Sequence, residues 1–420
     1  MERRDLPIGL LLRILRDLPE LTPLREAILS ASTRATQARG PGRAHETIAR
    51  RVLPLDRVED LVQQASRSVH QRVRYLYEGL DNLLHALAAG DRGAAVDQLL
   101  ALADAAQAGE QWAHARPYLE LAVEVAEPSS DRRPLARALR HHARLLWNLG
   151  EAGPACSLYS HSLAAAQAAG DRLAQIKAYT GLGNVRSFQG RWAEAQSHYQ
   201  DALALCTDAP PLVRGQLCNN LSIVARERDQ WVEAEHWLEQ AARIWQELPS
   251  PVDLSVWHNS RGMLHLARGE AEQAETAFYR AFEYAPTHFD RAMVLDNLAE
   301  LALRQGRFAD AETAARRAEE HALAAGSPRA LAEVYLRLGK IARLQGDASG
   351  ATFFVQALEL CGHRRYPLLE GTVHLEYGLF QRSVSDAEGA RQSIERARAL
   401  FADCGATRES ELASQQLAPA

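Results

Sequence analysis

Lysine is almost missing from this chain. The 420 residues hold only Lys177 and Lys340, so 46 of the 48 basic residues (48 − 2) are Arg. That bias points to a GC-rich, bacterial genome rather than to a binding need. Net charge is −5, which gives no bulk reason to expect nucleic acid or a membrane surface. No apolar run approaches the ~20 residues of a membrane span. The amino-terminal run Ile8-Gly9-Leu10-Leu11-Leu12 is broken by Arg13 and has no small-residue cleavage site after it, so the cytoplasm is the expected compartment. The five cysteines, Cys156, Cys206, Cys218, Cys361 and Cys404, form no CxxC and fit small packing residues in a reduced compartment.

The familiar catalytic signatures are absent too. There is no GxxxxGK[ST], HExxH or GxSxG, and Gly339-Lys340-Ile341 falls mid-helix, where it cannot cradle a phosphate. His141 and His142 are adjacent, so they point to different faces of a helix and cannot readily chelate together. Carboxylate pairs such as Glu319-Glu320 have no identifiable paired environment. We therefore expect no enzyme activity, no cofactor and no metal.

Abundant Ala and Leu, with Pro confined to the gaps between helical patterns, indicate an all-helical protein. Around Gly190 one frame stands out. Gly183 lies seven residues before this tight turn, Ala195 five after it and Ala202 twelve after it. Small residues at those places let two antiparallel helices cross closely. The frame recurs at turns Gly109-Glu110, Gly150, Gly190, Asp229, Gly269, Gly306, Gly346 and Ser385, with a period of about 40 residues. Five after each turn stands Ala115, Ala155, Ala195, Ala234, Ala274, Ala311, Ala351 or Ala390. Twelve after it stands a small residue, except in the seventh repeat, where Ala357 comes one residue early and implies a deletion or a distorted turn.

This frame, with Trp112, Trp192 and Trp231 just after turns and Tyr159, Tyr199 and Phe278 in second helices, resembles the tetratricopeptide repeat (TPR) family. The long period is similar to the variety in kinesin light chains, Rap-type peptide receptors and MalT-like sensor domains. The resemblance implies an all-α, right-handed superhelix, an α-solenoid of about eight helix pairs. Expected repeats cover about 92–127, 131–169, 171–207, 211–247, 251–286, 288–324, 328–361 and 364–403, within a solenoid of 76–403. Residues 404–420 are expected to form a capping helix and tail.

Residues 1–75 differ in charge. They hold 14 Arg against 9 Asp and Glu, a net +5, so the rest of the chain carries about −10. Helical patterns at 11–18, 22–37, 44–51 and 55–67 flank a breaker at 38–43, and another helix follows over 68–89. The segment reads as a cap on the first repeat, or as a basic module touching nucleic acid or a partner.

In such a solenoid the first helix of each pair lines the concave wall. Counting back from the turns places there Arg140, Arg144, Lys177, Asn184, Asn219, Asn220, Asn259, Asp296, Asn297, Glu300, Arg337 and Lys340. Asn both donates and accepts, so a row of Asn can hold an extended peptide backbone. Arg and Lys can fix a carboxylate. The chaperone-tail clamp of some relatives is not expected, because Asn184 and Asn220 match its amides but Thr180, Val256 and Ser260 stand at its three basic places. The sequence thus suggests an interaction scaffold with a protein or peptide partner. The alternative is a signal-sensing regulator whose basic N-terminus contacts DNA or a partner. No membrane partner is expected, and homo-oligomers through exposed repeat ends are an open alternative.

Overall fold

A computed structural model describes residues 5–7, 24–31, 52–54, 58, 60–62, 71–108, 112–149, 151–207, 209–247 and 250–417. The chain divides into two compact units. Unit 1 is Met1–Leu146 with Pro154–Ala178, and unit 2 is Trp147–Gly153 with Tyr179–Ala420. In unit 1, α1 (Gln71–Ala89) precedes α2 (Arg92–Ala108), α3 (Trp112–Ala126), most of α4 (Arg133–Asn148) and most of α5 (Ala152–Ala168). The boundary falls inside α6 (Arg172–Phe188). Unit 2 continues with α7 (Trp192–Ala204), α8 (Pro211–Glu227), α9 (Trp231–Glu247), α10 (Pro251–Arg268), α11 (Ala271–Tyr284), α12 (His288–Arg304), α13 (Phe308–Ala324), α14 (Pro328–Gln345), α15 (Ala351–Arg365), α16 (Pro367–Ser383), α17 (Ala387–Cys404) and α18 (Thr407–Leu417).

The helix limits follow from local chemistry. Ser250, Thr287 and Ser327 cap α10, α12 and α14 by accepting from the backbone N–H three residues on. Pro211, Pro251, Pro328 and Pro367 occupy first helical positions, where the missing N–H costs nothing. Each expected turn from Gly190 to Ser385 contains a left-handed residue at the expected place, including the non-glycines Asp229 (φ 57°) and Ser385 (φ 67°). The turns at Gly109-Glu110 and Gly150 lie outside the described residues.

The small residues work by admitting an aromatic ring. A Cβ on Gly183 would sit 2.5 Å from Tyr199, and one on Gly262 would sit 2.5 Å from Phe278. Ala195, Ala234, Ala274 and Ala311 are fully buried at the helix crossings. The seventh pair departs from the expected frame. Its close approach is made by Gly350, four residues after the turn, where a Cβ would lie 2.6 Å from that of Ala342; the expected Ala351 is only half-buried. A 3-10 turn at Ala348–Gly350 replaces the first α-turn. Three residues so wound rise ~6 Å instead of ~4.5 Å, which restores the length of the missing residue.

Within unit 2 the first helices α8, α10, α12 and α14 each touch the next first helix, up to α16, as well as their own partner, while the second helices touch one another far less. The first helices therefore lie on the inside of the curve. The unit also returns on itself. Phe188, at the end of α6, packs against the cluster of Ile394, Phe401 and Ala413. Gly405 lies against Gln189, Thr407 and Glu409 approach Gly190, and Arg408 pairs with Glu227 at 3.5 Å.

Near the amino terminus the expected helix over 22–37 is present in its described part, 24–31, and that over 68–89 in its described part, 71–89. The patterns at 11–18 and 44–51 and the breaker at 38–43 lie outside the described residues. A short antiparallel pair, β1 (Asp5–Pro7) with β2 (Val52–Pro54), was not expected. Three-residue strands are too short to show the alternation that would reveal them.

Candidate functional site

Among the described residues, the inner wall of unit 2 is a ladder of polar bonds from one first helix to the next. Asn184 Oδ1 accepts from Tyr199 Oη at 2.7 Å and from Asn220 Nδ2 at 3.5 Å. Two repeats on, Asn297 Nδ2 donates to Asn259 Oδ1 at 2.8 Å. Each amide spends only part of its capacity, and Asn220, Asn259 and Asn297 remain half-buried rather than covered. Asn219 departs from this row. It is 3% exposed, with its Oδ1 unpartnered, and is not open to a ligand.

The charged residues farther along are committed to one another. Arg337 grips Asp296 through Nε and Nη2, at 3.1 and 2.9 Å, and also meets Glu300. Lys340 Nζ lies 3.7 Å from Glu300 and 3.5 Å from Glu376, and Glu376 also accepts from Arg343 at 3.2 Å. Burial lowers the pKa of Lys340, against the pull of Glu376. Asp296 is only 6% exposed. These four expected ligand residues, Asp296, Glu300, Arg337 and Lys340, are thus brought together as a neutralised network. Glu376 and Arg343 were missed by the sequence reading. Glu376 stands nine residues before the Ser385 turn, as Arg337, Asn297 and Asn220 stand before theirs, and that shared register was the available signal.

Unit 1 has its own polar cluster. Arg137 pairs with Asp97 at 2.6 Å and Arg144 with Asp104 at 2.9 Å. Arg140 instead donates to Nε2 of His141 at 2.9 Å. An acceptor at Nε2 requires a neutral ring. Burial, then Arg140 and Arg144, push the pKa of His141 down to about 3. Burial and Arg144 also lower the pKa of Arg140, and burial and Arg140 lower that of Lys177. The buried Tyr159 hydroxyl is within electrostatic reach of Arg140, and burial raises its pKa.

Three of the described cysteines are packing residues. Cys206, Cys218 and Cys361 are buried free thiols, and burial pushes Cys218 up to about 11 and Cys361 up to about 12. Among the described residues no group of three or more His, Cys, Asp or Glu could hold a metal, and no helix is long and apolar enough to cross a membrane.

Stacked antiparallel pairs joined at left-handed turns, with rings lodged over small residues, define a helical-repeat solenoid of the kind built for protein interaction. The sequence profile of the tetratricopeptide repeat matches residues 134–208, 216–287 and 253–324, so this stretch of the chain is built of tetratricopeptide repeats. Among solved structures, a Rap protein complexed with competence and sporulation factor is 13% identical, with a TM-score of 0.57 over 93% of this chain and 99% of that one. A tetratricopeptide repeat protein from Parabacteroides merdae is 16% identical, with a TM-score of 0.47 over 67% and 98%. A signal transduction ATPase with a tetratricopeptide sensor from Pyrococcus horikoshii is 13% identical, with a TM-score of 0.49 over 98% and 60%. No curated protein matches the sequence. At these identities the likeness is one of fold.

Proposed function

We propose that the chain is a non-enzymatic interaction scaffold that binds an extended peptide segment along the first-helix wall of its repeats. The observation that carries this reading is the half-buried amide row of Asn220, Asn259 and Asn297. Each of these side chains is held in place by, or beside, a neighbouring repeat and retains donors or acceptors unused. Amides fixed in this way can pair with a peptide backbone whatever its side chains, with little further loss of side-chain freedom. The charged network from Asp296 to Glu376 then serves to hold the wall, not to contact the ligand.

A random-peptide display selection on the full chain tests this. Selected peptides should bind the wild type and lose at least tenfold in affinity to an Asn220→Ala/Asn259→Ala/Asn297→Ala variant of unchanged helicity. Equal binding to both would remove the amide row from the site.

A further inference from the structure

We propose that unit 2 holds an anchor pocket for one aromatic side chain of the bound segment, and that α18 completes it. The proposal rests on the peptide-groove reading for the segment that carries the ring, and adds what that segment must contain.

The site is a cavity of about 300 Å³. Its lining comes from the carboxyl ends of α8, α10 and α12, from Trp231 at the start of α9, and from Arg408 on α18. Glu227, Leu266 and Arg304 of this lining each stand seven residues after Asn220, Asn259 and Asn297. Seven residues are two helical turns, so the cavity lies on the same face as the amide row and ~10 Å along it. An extended chain covers that distance in about three residues.

The chemistry of the lining selects the occupant. Leu266 is buried, and the half-buried Trp231 and Met263 add apolar, polarisable surface. The cations do not call for an anion, because each is answered. Arg226 bonds Glu227 at 2.6 Å, Arg408 faces the same carboxylate at 3.5 Å, and Arg304 takes Glu300 at 2.8 Å. A guanidinium paired through its edge still has a flat face, and both that face and a thioether sulfur attract an aromatic ring. The volume stands at the lower end for ligand pockets, about 300–1,000 Å³, which suits one large side chain rather than a whole ligand.

Among the described residues, Arg408 is the single contribution of α18 to this lining. Its ion pair with Glu227 is more than half exposed on the arginine side, so it is weak by itself. A ring bound against Arg408 adds to the closure of the unit, and closure adds equally to the binding of the ring.

The first test uses capped amino acids in place of a peptide. The chain has three methionines, Met1, Met263 and Met293, so methyl-labelled methionine reads the pocket through Met263 and keeps Met293 as a control. N-acetyl-phenylalaninamide should move the Met263 resonance saturably and leave Met293 in place, and N-acetyl-alaninamide should move neither. Ala267→Trp fills the cavity from an exposed position of its lining, and should weaken the response at least tenfold. Arg408→Ala should weaken it at least threefold, both variants having unchanged helicity. Peptides selected as above should carry Phe, Tyr or Trp and lose at least tenfold in affinity to Ala267→Trp. No Met263 response to the aromatic probe, an equal response to the alanine probe, or an equal response from Ala267→Trp would overturn the pocket. An equal response from Arg408→Ala would take α18 out of it. Peptides that lose affinity in the triple Asn variant but bind Ala267→Trp at full strength would sink the pocket and leave the amide row standing. A Met263 response with no peptide selected would uphold the pocket and sink the groove.

Discussion

The two units solve the same electrostatic problem differently. In unit 2 the first helices carry Asp296, Glu300, Arg337, Lys340, Arg343 and Glu376, and each charge faces an opposite one on its own or the next repeat. In unit 1 the corresponding helices pair Arg137 with Asp97 and Arg144 with Asp104, while Arg140 between them meets the neutral His141. A wall whose charges are spent on each other is structural. A wall that leaves an Arg against a neutral ring is held less tightly by charge.

The difference can be broken most forcefully in unit 2. Arg337→Ala would strand the buried Asp296, leaving Glu300 to Arg304 and Lys340, and should cost about 3–5 kcal/mol in urea unfolding. A loss below about 1 kcal/mol would show that the network is not what holds the wall.

Next comes pH. His141 titrates near 3 in the folded chain against its ordinary 6.5, so the unfolded chain binds a proton that the folded chain refuses between those values. Stability is then complete above about pH 6.5 and falls as pH falls, by up to ~1.4 kcal/mol per unit. His258 in unit 2, lowered to about 4 by burial and Arg261, adds loss of the same sign but less of it, being half-exposed. His141→Gln should flatten the profile more than His258→Gln; the reverse order would place the acid-sensitive point in unit 2.

Off the wall, Asp229→Gly and Ser385→Gly should each stabilise the chain by about 0.5–1 kcal/mol, because both residues hold the left-handed conformation that glycine adopts freely. The smallest effect is that of Arg140→Gln, expected between no change and a gain of about 1 kcal/mol. Set beside Arg337→Ala, it contrasts an Arg paired with carboxylates with one whose partner is a neutral ring.

Much of the fold was legible because the repeat is written in steric terms. A residue such as Gly262 or Ala274 is dictated by a ring or a backbone a few ångströms away, so its small size survives in the sequence as a register. The seventh pair obeyed the same rule once Gly350 replaced Ala351. The site was less legible. Counting back from turns found the correct faces, but could not tell Asn259, which keeps spare capacity, from Asp296, which is buried under Arg337. Nor could it show that Asn219 and Asn220, one residue apart, fall on opposite sides of the boundary between core and wall. Pairing depends on which repeat lies alongside, and a single register carries no such information.

The contact of α18 with the turn at Gly190 changes what kind of polymer unit 2 is. A linear array of repeats frays from its ends, because an end repeat has one neighbour where an inner repeat has two. Here the eleven-residue α18 is stapled to the turn at Gly190 through the Phe188 contact and to the end of α8 through Arg408 and Glu227, so the last repeats of the unit gain a second neighbour. Amide exchange in α17 should consequently be as slow as in α10, and removing residues 406–420 should release it at both ends together. The closure turns a row of locally stable modules into one cooperative loop.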